Sequence, residues 1–182
     1  MQGMTRRPLS LLCALALLGA ACTSSPAVEP GDASPIPAVN AAHAALLPRS
    51  VDAIPDMDLE TYGALRLQVE GTPMVINMWA SWCGPCRAEA PDLAAAAARY
   101  GDRVQFLGVD VQDNRGDAQD FVHAHGWSYP SVFDPSGAIM THLGITGPPA
   151  TFFYAADGSF VTSVHGQIAP EALDQAIREL LG

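Results

Sequence analysis

From about Asp52 to Gly182 the chain alternates short apolar runs with longer amphipathic stretches. Met74 to Ala80 is a brief, mostly apolar run containing a β-branched pair, the pattern of a strand buried on both faces. Gly84 to about Tyr100 reads as a helix that carries the alanine run Ala94–Ala98, with a kink expected at Pro91. Val104 to Val111 is a second buried strand. Asp117 to about His125 is a second helix, ended by Gly126. Pro130 to Phe133 is a short extended piece, and Asp134 to Gly137 a turn. Ala150 to Ala155 and Phe160 to His165 form a hairpin about the turn Ala156–Ser159. Pro170 suits the first turn of a last helix, on which Leu173, Ile177, Leu180 and Leu181 mark one buried face. Strand–helix–strand followed by hairpin–helix predicts an α/β fold, a mixed central sheet flanked by helices.

The first 51 residues follow other rules. Arg6 and Arg7 precede an uncharged, Leu/Ala-rich run from Leu9 to Ala21. Its 13 residues are too few for a membrane-spanning helix, which needs about 20. A basic start, a short apolar middle and a small-residue end predict a signal peptide over residues 1–21. Gly19-Ala20-Ala21 leads into Cys22, an ending that resembles a bacterial lipobox, in which the cysteine is diacylated and becomes the new N-terminus. The departure is Gly19, where such signals usually have leucine; Leu18 lies one place further back. Cys13 would be discarded with the peptide. From Cys22 to about Val51, Pro26, Pro30, Pro35, Pro37 and Pro48 punctuate small and polar residues, as in an extended, semi-rigid tether. Asn40 to Leu47 could form a short helix capped by Asn40.

Charge narrows the function classes. Nineteen acidic residues face nine basic ones, all arginine, for a net charge of −10. Nucleic-acid binding needs a basic footprint, so that class is excluded, as is a polybasic membrane patch. Loss of residues 1–21 takes away two arginines and no acid, which leaves −12. Any membrane attachment of so acidic a body rests on its acyl chains.

The chemistry sits in Trp79-Ala-Ser-Trp-Cys-Gly-Pro-Cys-Arg-Ala-Glu89. Two cysteines, separated by two residues, lie where a buried strand passes into a helix. Cys83 falls at the helix start, where unpaired N–H groups and the positive dipole end favour its reactive thiolate. Cys86 lies one turn in and can close onto Cys83 to resolve a mixed disulfide. Pro85 suits the first turn, and Trp82 can shield the sulfur and offer a flat apolar surface to a partner. Zinc fits poorly: about four ligands are needed, no second CxxC follows, and His123 and His125 have no cysteine near them. A purely structural bond would close a ring of only four residues and restrict little of the unfolded chain. His43, His142 and His165 are scattered and read as surface or capping residues. Trp127 and Tyr129 read as packing residues, and Asp110 and Asp113 fit no metal loop.

The segment resembles the active site of the thioredoxin superfamily, and most of all its TlpA/ResA-like extracytoplasmic thiol-disulfide oxidoreductases. The resemblance covers residues 52–182 and implies a thioredoxin-like domain there. Gly147-Pro-Pro-Ala-Thr-Phe-Phe153 resembles the family's cis-proline loop, so the Pro148–Pro149 bond is expected to be cis, beside the reactive sulfur, pairing with extended substrate and keeping metals out. Gly108 to Gly144 resembles the branch's added strand–helix insertion. Glu89 stands where the branch carries an active-site glutamate, which makes Cys83, Cys86 and Glu89 the implied catalytic residues. Trp82, Gly84, Pro85, Pro148, Pro149 and Ala150 are implied substrate contacts.

Two departures bear on mechanism. Asn77 stands where cytosolic thioredoxins carry a proton-moving aspartate, which leaves Glu89 as the substitute; its bland alternative is a solvated helix residue. Pro148 removes a backbone N–H from the loop. The family's chemistry needs no cofactor. Electrons pass to or from client proteins with thiols or disulfides, and a reductant is recycled by a membrane thiol-disulfide carrier. Gly84-Pro85 is the dipeptide of reducing thioredoxins, and reduction of disulfides in exported proteins, such as apocytochrome c, is the leading expectation. A disulfide-forming oxidase uses the same cysteines. A copper-delivery module on this fold is a further alternative, although copper chaperones of this kind carry CxxxC with a distant histidine. The expected location is outside the cytoplasm, lipid-anchored through Cys22, or otherwise secreted or periplasmic.

Overall fold

The computed structural model describes residues 46–68 and 71–182. The expected signal peptide, Cys22, His43 and all but the end of the tether and of the Asn40–Leu47 segment lie outside the described residues; Leu46 and Leu47 form a bend. Ten elements follow: α1 (Leu59–Gln68), β1 (Met74–Trp79), α2 (Gly84–Tyr100), β2 (Gln105–Val111), α3 (Arg115–Ala124), β3 (Ser131–Asp134), α4 (Ala138–His142), β4 (Ala150–Tyr154), β5 (Phe160–His165) and α5 (Pro170–Leu181).

The five strands form one mixed sheet in the order β3-β2-β1-β4-β5. β1 pairs in parallel with β2, and β2 with β3; β4 runs antiparallel to both β1 and β5. Every residue of β1, β2, β3 and β4 is buried, which is why these strands read as near-continuous apolar runs. β5 lies at an edge and exposes Phe160 and Val161. This is a thioredoxin-like fold, with the strand that delivers the cysteines at its centre.

Two helices were not legible in the sequence. Among the residues of α1 whose burial is described, only Tyr62 and Leu65 are buried, too weak a stripe to mark a helix. α4 has only five residues and is held by a carboxylate: Asp134 accepts hydrogen bonds from the N–H groups of Ala138, Ile139 and Met140, at 2.9, 2.9 and 3.2 Å. The expected turn at Asp134–Gly137 is thus the approach to a helix. α2 continues through Pro91 as a single element. The segment read as an insertion begins inside β2, the neighbour of β1, so what is added starts only after Val111.

One residue couples the sheet to the site. Gly108 of β2 lies in register with Asn77 of β1 and Ser131 of β3. A Cβ there would come within 2.7 Å of Trp79 Nε1 and would also overlap the Ser131 hydroxyl. The absent side chain makes room for the Trp79 indole, which stacks on Phe121 of α3 at 4.6 Å and meets Trp127 edge-on at 4.9 Å. Trp127 in turn donates from Nε1 to the Ala90 carbonyl of α2, at 3.1 Å. The packing expected of Trp127 and Tyr129 therefore ties the added segment to the helix that carries the cysteines.

Candidate active site

Where β1 ends, the chain turns once and enters α2. Cys83 is the N-cap residue, with extended backbone (φ −80°, ψ 113°). Its Sγ accepts a hydrogen bond from the Cys86 N–H at 3.2 Å. A sulfur so placed meets the free N–H groups of the helix start, and negative charge on it is favoured there. Pro85 occupies the first turn, where its missing N–H leaves no donor unpaired. Cys83 and Cys86 are joined in a disulfide.

Cys86, one turn further into the helix than Cys83, is expected to be the more enclosed of the two. In the disulfide state both are nearly buried, at 4% and 1% exposure. The helix end, more than access, distinguishes them. What is exposed is the rim: Trp82, at 55%, and its neighbours Gly84 and Pro85.

Met78 of β1 pairs with Ala150 of β4, so the loop before β4 meets the sheet at the same end as the turn that leads to Cys83. The Pro148–Pro149 peptide bond is cis. Pro149 and Ala150 are buried and Pro148 is partly exposed. The Pro149 carbonyl accepts from the Gly166 N–H at 2.9 Å, which fastens the loop to the end of β5.

Glu89 is fully buried on the inner face of α2, one turn beyond Cys86. Both carboxyl oxygens are held: Oε1 accepts from Asn77 Nδ2 at 2.9 Å, and Oε2 from the Ile168 N–H at 2.8 Å. A solvated helix glutamate is thereby ruled out. Burial pushes the Glu89 carboxyl above its ordinary range, while the Ile168 and Asn77 donors oppose the rise. Asn77 also donates to Thr151 Oγ1 at 3.1 Å, and its own Oδ1 has no partner among the described residues. Asn77 and Glu89, singled out separately in the sequence, are thus one hydrogen-bonded unit beneath the disulfide-bearing helix.

The loop before Cys83 is held from the other side. Ser81 donates to Asp113 twice, from its backbone N–H and from Oγ, the latter at 2.8 Å. The Ser81 carbonyl accepts from Arg87 of α2. The Trp82 indole donates from Nε1 to the Gln112 carbonyl at 3.2 Å. Asp113 is a site residue that sequence reasoning passed over; it lies 32 positions from Ser81, and only its place just before the α3 cap, Asn114, hinted at a structured loop. His142 and His165 are on exposed positions, and His165 of β5 pairs across the sheet with Ala150. Among the described residues, no group of three or more His, Cys, Asp and Glu side chains is arranged to hold a metal ion, and no helix is long and apolar enough to cross a membrane.

Comparison with known proteins agrees with this geometry. The chain is 37% identical over 98 residues to the thiol:disulfide interchange protein DsbE homolog of Paracoccus denitrificans, covering 53% of this chain and 52% of that protein. It is 31% identical over 113 residues to the thiol:disulfide interchange protein HelX of Rhodobacter capsulatus, covering 62% of each. The chain thus spans roughly half to two thirds of the length of these curated relatives. Among solved structures, a secreted Mycobacterium tuberculosis disulfide oxidoreductase, described as homologous to E. coli DsbE, superposes with a TM-score of 0.57 at 30% identity, over 61% of this chain and 84% of that one. A profile of the AhpC/TSA family matches residues 51–168. That match takes in all five strands, the Cys83–Cys86 pair and the Pro148–Pro149 loop, and the chain belongs to the AhpC/TSA family of thioredoxin-like proteins.

Proposed function

We propose that this chain is an exported thiol-disulfide oxidoreductase that reduces disulfides in client proteins, with apocytochrome c as one candidate client. The observation that carries the reading is the Cys83–Cys86 disulfide closed at the first turn of α2, with Cys83 Sγ as the helix cap. Relatives named as thiol:disulfide interchange proteins support it.

In the reduced protein the Cys83 thiolate attacks one sulfur of a client disulfide. A mixed disulfide forms and the client's other sulfur leaves as a thiolate. Cys86, deprotonated, then attacks Cys83 Sγ; the internal disulfide closes and the client departs with two thiols and two electrons. The cycle needs a dithiol partner to return those electrons, and a membrane thiol-disulfide carrier suits a protein held at the envelope. The Glu89 carboxyl, raised by burial and one turn from Cys86, is the candidate proton acceptor for the second step. Trp82, Gly84 and Pro85 form the rim against which a client rests, and Pro148, Pro149 and Ala150 lie at the same end of the sheet. With no N–H at Pro148, a client strand meets an acceptor there and no donor.

The route to the envelope rests on the N-terminal segment: a signal peptide over 1–21, acylation at Cys22 and a tether to residue 51 ahead of the domain. A secreted relative of similar fold supports export.

The deciding measurement is the reduction potential of the Cys83–Cys86 pair, by equilibration with glutathione. A reductant is expected near or below that of thioredoxin, about −270 mV; a value at or above that of protein disulfide isomerase, about −180 mV, overturns the direction and makes the protein an oxidase. Mass spectrometry of Cys86→Ser adducts tests the roles: partners should be trapped on Cys83, and a partner found on residue 86 of Cys83→Ser as the principal adduct reverses them.

A further inference from the structure

Asp110 lies one residue before the C-terminal end of β2 and is 0% exposed. Neither of its carboxyl oxygens meets a donor among the described residues. The rings of Trp79 and Phe133 flank it in register from β1 and β3. A carboxylate without donors in such a place is strongly disfavoured, and the ordinary escape is to keep the proton. Burial raises the Asp110 carboxyl to about 9, aided by the charge of Asp113, three residues on; Arg115 of α3 opposes the rise. Arg115 is itself paired with Asp56 and lies over the Phe133 ring, so the charged groups about Asp110 are Asp113, Arg115 and, behind it, Asp56.

Two carboxylates cannot hydrogen-bond without a proton between them. With the proton on Asp110, Asp113 gains a donor beside the three it already has: Ser81 N–H, Ser81 Oγ and, at 2.7 Å, Asn114 N–H. The backbone that brings Asp113 back over the end of β2 passes through Gln112 at φ 49°, a left-handed conformation that residues other than glycine seldom adopt. That same residue offers its carbonyl to the Trp82 indole. A buried acid and a strained turn thus converge on the two residues that precede Cys83.

We propose that Asp110 is a positioning residue for the redox loop: its proton bridges to Asp113, and Asp113 holds Ser81 and Trp82 so that Cys83 stays seated on the α2 N-terminus. The proposal rests on the reading of Cys83 as the reactive cysteine. When Asp110 ionises, the two acids repel, Asp113 is drawn from Ser81, and the Trp82 contact slackens. The loop then has an alkaline limit of its own, separate from the titration of any thiol.

The test uses the oxidised full chain, in which neither site cysteine can titrate. Carboxyl carbon NMR from pH 6 to 10.5 follows Asp110 and Asp113, and the Trp82 indole N–H is followed alongside. Asp110 is expected to titrate near 9, with the Trp82 resonance moving at the same midpoint, and the Trp82 transition is expected to vanish in Asp110→Asn. An Asp110 that titrates in the ordinary carboxylate range, or a Trp82 transition unchanged in Asp110→Asn, overturns the proposal. In disulfide exchange at pH 7, Asp110→Ala and Asp113→Ala are each expected to slow the reaction about fivefold or more by misplacing the loop, and Asp110→Asn, whose amide still donates, to recover most of the loss. Should Asp110→Ala fail to fold, the wild-type titration and Asp113→Ala still decide. Wild-type exchange in all variants overturns the positioning role and leaves Cys83 chemistry intact; no exchange in the wild-type protein overturns the proposed function, while the NMR titration stands as measured.

Discussion

Glu89 and Asp110 are both fully buried carboxyls close to the redox loop, yet their surroundings differ in kind. Glu89 sits on the α2 side, with a donor on each oxygen. Asp110 sits on the β2 side, with no donor on either. Burial raises both groups, but donors partly restore the anion of Glu89, whereas Asp110 rises to about 9. Burial alone therefore says little about what an acid can do. The partners decide how far the rise goes, and so how readily the acid gives up its proton.

The largest effect that would break this contrast is on exchange itself. Glu89→Ala leaves the Ile168 N–H and one of the two Asn77 amide hydrogens without an acceptor, and removes the candidate proton acceptor. Resolution of the mixed disulfide is expected to slow by about 100-fold, in the lower range for loss of a general base. Stability should fall by roughly 2–4 kcal/mol from two stranded donors. Stopped-flow measurement of client release tests the first and urea unfolding the second; a full-speed Glu89→Ala would place Glu89 outside the reaction.

Stability against pH separates the two acids more finely. A group whose pKa is raised by folding binds its proton more tightly in the folded chain, so stability declines as pH climbs from the unfolded value to the folded one. For Asp110 that window runs from 3.8 to about 9. Asp110→Asn removes the titration, and its advantage over the wild type is expected to grow across that range by up to about 1.4 kcal/mol per pH unit. For Glu89 the window starts at 4.5 and extends upward by a smaller, donor-limited amount, so Glu89→Gln should flatten the curve over a narrower acidic range. Urea unfolding at successive pH values measures both, and equal windows would erase the distinction.

Gly108→Ala probes the layer between them. Its new Cβ would press on the Trp79 indole and the Ser131 hydroxyl, with a loss of roughly 1–3 kcal/mol from overpacking, seen as a lowered Tm in calorimetry. The smallest expected effect is at the rim. Trp82→Ala, at an exposed position, should change stability by no more than about 0.5 kcal/mol while raising the KM for protein clients. An unchanged KM would remove Trp82 from the client surface.

The sequence made the strands, the cysteine pair and the proline loop legible, because each has a short-range signature: an apolar run, a CxxC at a strand–helix junction, a Gly-Pro-Pro. It did not make α1 or α4 legible, since one buries too few residues and the other is capped by a carboxylate that precedes it. The environment of Glu89 was hidden for a different reason. Its partners Asn77 and Ile168 lie 12 and 79 positions away, and no local pattern joins them. Asp110 showed in the sequence only as an acid that fits no metal loop, because the finished sheet is needed to show that no donor among the described residues meets its oxygens.

The internal disulfide links residues only three positions apart, both at the head of one helix. A bond that closes so small a loop constrains less of the unfolded chain than a long-range one, so opening it should cost the fold no more than about 2 kcal/mol. In the proposed electron-carrying role, a partner that recycles the pair would have to meet it at the sulfurs themselves, where Cys83 caps α2.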